Sequence, residues 1–156
     1  MNFVLALDEE ASVAFTAFSD PTLAIYQPSQ LAQFAYAPTN LGSHFDTSTS
    51  VFTCPVSGVY EFRLHLHSTE AYAALLLVYL NDDVIASALA QDSTFAASAS
   101  TSAITHCEAL SRVKVMAGNI ASYVLGPTTT LFSGKLLTTN SGKINKNIFH
   151  CFRVYI

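Results

Sequence analysis

The stretch GVYEFRLHLHS, residues 58 to 68, puts Tyr60, Phe62, Leu64 and Leu66 on one register and Glu61, Arg63, His65 and His67 on the other. Side chains on a strand point to opposite faces in turn, so the pattern predicts a strand with a buried apolar face and an ionisable one. Similar runs predict further strands at 12–18, 31–37, 50–54, 74–80 with 84–89, 102–115, 119–125 and 130–138. The breaks between them carry turn chemistry, as at Asp20-Pro21, Pro28-Ser29, Pro38-Thr39-Asn40, Pro55 to Gly58, Asn81-Asp82-Asp83, Gly118-Asn119 and Gly126-Pro127. Residues 71–80 (AYAALLLVYL) are rich in helix-favouring Ala and Leu, yet strands bound them and Asn81-Asp82 follows at once, so a buried strand is predicted. Residues 92–103 are small and polar and read as a flexible loop leading into a strand. No long amphipathic helix is visible, and about eight short strands predict an all-β sandwich or barrel.

Composition adds a constraint on the surface. The chain's 156 residues suit one domain, and they are 51% hydrophobic but only 12% charged. Much of the exterior must therefore be Ser, Thr, Asn, Gln or apolar, which predicts a sticky surface or an oligomer. The net charge of −4 excludes a general electrostatic footprint for nucleic acid, and the cations look scattered except near the C-terminus. The opening MNFVLAL lacks a basic n-region and meets Asp8, Glu9 and Glu10, so it is too short for a signal peptide or a membrane span. A secreted protein with this sequence would lack its leader. Cys54, Cys107 and Cys151 are an odd number without CxxC spacing, which argues against a disulfide scaffold or a structural zinc site. Residues 140–156 hold three of the seven basic residues and none of the eleven acidic ones, so the end of the chain reads as an appended extension. The expected organisation is an N-terminal segment at 1–11, a globular domain at 12–138 and a C-terminal extension at 139–156.

An ordered set of short pieces then resembles one family. They are Val13-Ala14-Phe15-Thr16-Ala17, Asn40 through Asp46 (NLGSHFD), Phe52-Thr53-Cys54 with Gly58-x-Tyr60-x-Phe62, Leu80-Asn81, Gly118-Asn119 and Phe132-Ser133-Gly134-x-Leu136-Leu137. Across about 12–138 their order is similar to that of the globular C1q domain of complement component C1q and its tumour-necrosis-factor-like relatives. From the residues themselves, Phe15, Tyr60, Phe62 and Phe132 read as core, Gly58 and Gly118 as turn residues, and Gly134 as room in a crowded strand. The resemblance implies a ten-stranded jelly-roll β-sandwich, C1q/TNF-like, assembled as a homotrimer. It places the strand at 58–68 in the outer sheet of that trimer, and Cys54 and Cys107 on neighbouring strands of the inner sheet, where either a disulfide or two buried thiols would fit. The chain departs from the family pattern in having no Gly-x-y stalk upstream, Asn81-Asp82-Asp83 at a frequent Asn-Gly turn, and residues beyond the usual end near Leu137.

Candidate chemistry is sparse. His65 and His67 lie roughly 6.5 Å apart along a strand, close enough to share a metal, but no third ligand is apparent and a solvated face is the commoner arrangement. Glu61, Arg63, His65 and His67 are the first candidate ligand surface, because they cluster in a charge-poor chain. Asp82 and Asp83 are the second, suited to a sugar hydroxyl or to calcium, although an exposed acidic turn is the ordinary explanation. No other cofactor is implied. His44 and Asp46 share a polar loop without a G-x-S-x-G elbow, neither Cys54 nor Cys107 is marked as a nucleophile, and no phosphate loop, dinucleotide fingerprint or HExxH motif occurs, so an enzyme is not expected. The expected function is a secreted, trimeric, lectin-like protein that binds carbohydrate or microbial surface patterns in innate immunity. The alternatives are a receptor-directed signalling ligand of cytokine type and a structural or matrix module.

Overall fold

A computed structural model describes residues 12–19, 23–126 and 129–139. Twelve strands follow one another: β1 (Ala14–Phe18), β2 (Leu23–Tyr26), β3 (Tyr36–Leu41), β4 (Phe45–Asp46), β5 (Val51–Thr53), β6 (Gly58–His67), β7 (Ala74–Leu80), β8 (Asp83–Ala90), β9 (Ser98–Cys107), β10 (Arg112–Ala117), β11 (Ser122–Leu125) and β12 (Leu131–Thr139). Ten of them form two five-stranded antiparallel sheets, ordered β3-β1-β12-β6-β9 and β4-β5-β10-β7-β8, and β2 pairs with β11 in a separate ribbon. The two sheets are the ten-stranded jelly roll that the resemblance implied. Among the described residues no helix is long and apolar enough to cross a membrane.

The alternation in β6 is what the sequence predicted. Tyr60, Phe62, Leu64 and Leu66 are each at most 1% exposed. They meet an aromatic cluster in which the ring centroid of Phe15 lies 4.8 Å from those of both Phe45 and Phe52 and 5.1 Å from that of Phe132. Such pairs add attraction beyond the area they bury. Gly134 sits in β12 directly between Phe15 of β1 and Phe62 of β6. A Cβ there would lie 2.6 Å from the Phe15 ring and 2.7 Å from the Phe62 ring, so glycine makes the predicted room. Gly58, expected in a turn, instead opens β6, and a Cβ on it would stand 2.4 Å from the Thr138 carbonyl oxygen. Close approach to β12 is its requirement.

Several expected boundaries move. The strand expected at 31–37 begins only at Tyr36, although Ala32 and Phe34 are buried. The Phe34 N–H donates to the Ser50 hydroxyl at 2.7 Å and only an isolated bridge ties Leu31 to Met116, so Ala32 and Phe34 are buried outside any strand. The span 102–115 divides into β9 and β10 at a turn where Leu110 has a φ of +69°. The polar stretch at 92–103 already contains the first half of β9, and β2 and β4 had no prediction. The segments 1–11 and 140–156, with Cys151, lie outside the described residues.

Cys54 and Cys107 are not on neighbouring strands of one sheet. Cys107 ends β9 opposite Gly58, whereas Cys54 follows β5 in the other sheet. Both are buried free thiols. They meet across the core, and Cys54 is held far above the ordinary thiol range by its hydrogen bond with Cys107, then by burial and by repulsion from a Cys107 thiolate. Burial likewise pushes the nearby Tyr60 phenol up to about 12, with its O–H donating to the Val56 carbonyl at 2.8 Å.

Candidate ligand grooves

The ionisable register of β6 faces away from the core, on a strand flanked by β12 and the edge strand β9. Glu61 is the organising group. Its Oε1 accepts from Arg63 Nε at 2.9 Å and Nη2 at 2.7 Å, and its Oε2 lies 3.3 Å from Lys135 Nζ. The Arg63 guanidinium, with Lys135 assisting, holds the Glu61 carboxyl below its ordinary value of 4.5. Beside this cluster an open groove of about 580 Å³ is lined by Arg63, His65, Ser100, Ser102 and Ser133. His65 Nδ1 is 2.7 Å from the Ser100 hydroxyl across the β6–β9 pair. His67 lies beyond the groove, and its backbone N–H donates to the Thr130 hydroxyl at 3.0 Å.

Asp82 is on the other sheet. β7 and β8 are joined by Asn81-Asp82, and Asn81 adopts a left-handed φ of +53°, a conformation asparagine tolerates better than most residues. The turn is clamped to the start of β10. Asn81 N–H donates to the Arg112 carbonyl at 2.7 Å, and the Arg112 N–H donates back to Asn81 Oδ1 at 2.9 Å. Asp82 thereby stands at one end of a groove of about 630 Å³, while Asp83 is the first residue of β8 and lines neither groove. The five predicted residues are thus not one site. Arg63 and His65 share a groove on one sheet, Asp82 lies on the opposite sheet, and His67 and Asp83 stand apart from both.

The second groove exists because one edge of β10 has two neighbours in succession. Residues 112–114 pair with β5, and farther along the Ala32 N–H donates to the Val115 carbonyl at 2.9 Å while Leu31 bridges Met116. Where the chain peels away at Ser48 and Thr49 between those neighbours, the outward face of β10 is left open. That face carries Arg112, Lys114 and Met116, because Val113, Val115 and Ala117 occupy the core. Sequence reasoning missed this pair of cations. Their i, i+2 spacing in RVKVMA was the available signal, but it lay hidden in the span read as one long strand and in a count of cations that looked scattered. Among the described residues no group of three or more His, Cys, Asp or Glu gathers into a potential metal site.

The comparisons with known proteins agree with this architecture. Caprin-2 of Danio rerio is 38% identical over 80 residues, which is 49% of this chain and only 9% of that protein. The globular domain of the zebrafish complement 1qA protein superposes with a TM-score of 0.69 at 20% identity, covering 82% of this chain and 99% of the other. The structure of Eiger TNF from S. frugiperda gives a TM-score of 0.68 at 11% identity, covering 83% and 94%. The family model for the C1q domain matches residues 14–137, so the chain belongs to the C1q domain family.

Proposed function

We propose that this chain is a secreted recognition protein that assembles as a homotrimer and binds carbohydrate on repetitive surfaces such as those of microbes. The observation that carries the proposal is the pair of open grooves, lined with serine, amide and charged side chains, on a fold whose family members are non-enzymatic binding modules. Such linings suit hydroxyl-rich ligands, and trimeric presentation converts weak single-site binding into avidity on a repeating target.

Two edges of the sandwich support the trimer. Tyr36 and Leu41 on β3 are 64% and 50% exposed, and Ile104 on β9, at the opposite edge of the same sheet, is 66% exposed. A contact of one edge with the other edge of the next copy is head-to-tail, the kind that forms a closed trimer when the rotation between copies is a third of a turn.

A glycan and microbial-polysaccharide panel, run with and without calcium, tests the function. Saturable binding displaced by one free sugar is expected, and a calcium requirement would direct attention to Asp82. The structural likeness to Eiger TNF favours a second reading, a receptor-directed signalling ligand. A folded protein that binds no glycan but saturates one protein receptor would establish that reading instead.

A further inference from the structure

We propose that the groove over β10 is the carbohydrate site and that it takes a sugar bearing an anionic substituent, a carboxylate or a sulfate, held by Arg112 and Lys114. The proposal rests on the carbohydrate reading above and adds a location and a ligand class to it. At about 630 Å³ the groove lies within the range of small-ligand sites. The cations among the described residues are Arg63, Arg112, Lys114 and Lys135. Arg63 and Lys135 both bind Glu61, whereas no described carboxylate lies within ion-pair distance of Arg112 or Lys114. Both unpaired cations therefore project from one face of one strand into one groove. A chain of net charge −4 repels polyanions in general, so a local pair of cations is what gives this groove affinity for an anionic ligand.

The remaining lining supplies the other half of sugar recognition. Leu31 and Met116 offer an apolar floor for the C–H face of a sugar ring, and Gln33 and Asp82 flank it with groups that bond hydroxyls. The walls are tied to the fold by backbone hydrogen bonds, with the Ala117 N–H donating to the Gln30 carbonyl at 2.8 Å on one side and the Asn81–Arg112 clamp on the other. Asp82, expected from its turn to favour calcium or a hydroxyl, here takes the hydroxyl role.

The test compares the full-length protein with an Arg112→Gln, Lys114→Gln double variant on immobilised dextran, dextran sulfate and polygalacturonate. The wild type is expected to retain at least one of the two anionic polymers, with retention weakened by salt, and the double variant to lose about tenfold or more of that affinity at an unchanged melting temperature. Retention of dextran sulfate alone assigns a sulfate, and of polygalacturonate alone a carboxylate. The sequence contains only two methionines, Met1 and Met116, so a methyl-labelled NMR spectrum reads the groove floor without any substitution. Addition of the retained polymer's monosaccharide is expected to shift the Met116 signal and leave Met1 in place. Equal binding by the double variant, or a Met116 signal that does not move, overturns the proposal while leaving a lectin with its site elsewhere. A folded wild type that retains no glycan of any kind overturns the proposal together with the carbohydrate reading.

Discussion

Glu61 shows what a single residue contributes on this surface. It accepts from Arg63 and faces Lys135, and its side chain is only 12% exposed. Its carboxyl titrates below the ordinary 4.5 chiefly because Arg63 donates to the charged form. A depressed carboxylate stabilises the fold above its unfolded value, and the contribution is lost as pH falls through the folded value. Glu61→Gln is therefore expected to lower the melting temperature modestly near neutral pH, and the two proteins to converge in acid below 4.5. Melting curves of both proteins across pH check this, and a constant gap at every pH would remove the ion pairs as its cause. The alternation of β6 made the exposure of this register legible. It could not show that Arg63 is engaged by Glu61, because that depends on how the side chains settle once Lys135 of β12 is alongside.

At the scale of elements, apolar–polar contrast decided what was legible. β6 was predicted with nearly correct bounds because it alternates large apolar residues with polar ones, and β7 because strands and the Asn81-Asp82 turn bound its continuous apolar run. β9 was half missed because Ser98 to Ala103 offer no such contrast, and its order comes from the ladder with β6. The segment before β3 erred the other way, since the burial of Phe34 was visible while its hydrogen bond to Ser50 was not. Gly134 joins residue to element, since two rings from flanking strands fill the space a side chain would take. Gly134→Ala is expected to cost about 1–3 kcal/mol by overpacking. Denaturant unfolding measures it, and a neutral result would mean that Phe15 and Phe62 can shift together at little cost.

For the whole molecule, the low charged fraction and the two apolar edges belong to one explanation. If β3 of one copy meets β9 of the next, light scattering is expected to give a trimer, and Ile104→Glu, which sets a charge on the exposed edge, is expected to give monomers of unchanged fold. A trimer that survives this substitution would place the contact elsewhere, and a monomeric wild type would leave the composition unexplained. Valence matters for the groove over β10 as well. Three equivalent grooves in a ring would bind a polymer far more tightly than one, so the Arg112, Lys114 double variant should be compared at the same oligomeric state.

The sequence by itself determined the all-β class, the buried register of β6, the aromatic core and the family, because each is written in local periodicity or in a short ordered motif. Only the tertiary structure decided that Cys54 and Cys107 meet across two sheets, that Asp82 and Arg63 lie on opposite ones, and that Leu31, Asp82, Arg112 and Lys114 line one groove. Periodicity records which face of a strand is buried. It does not record which strands are neighbours, and a groove assembled from four distant segments depends on that pairing alone.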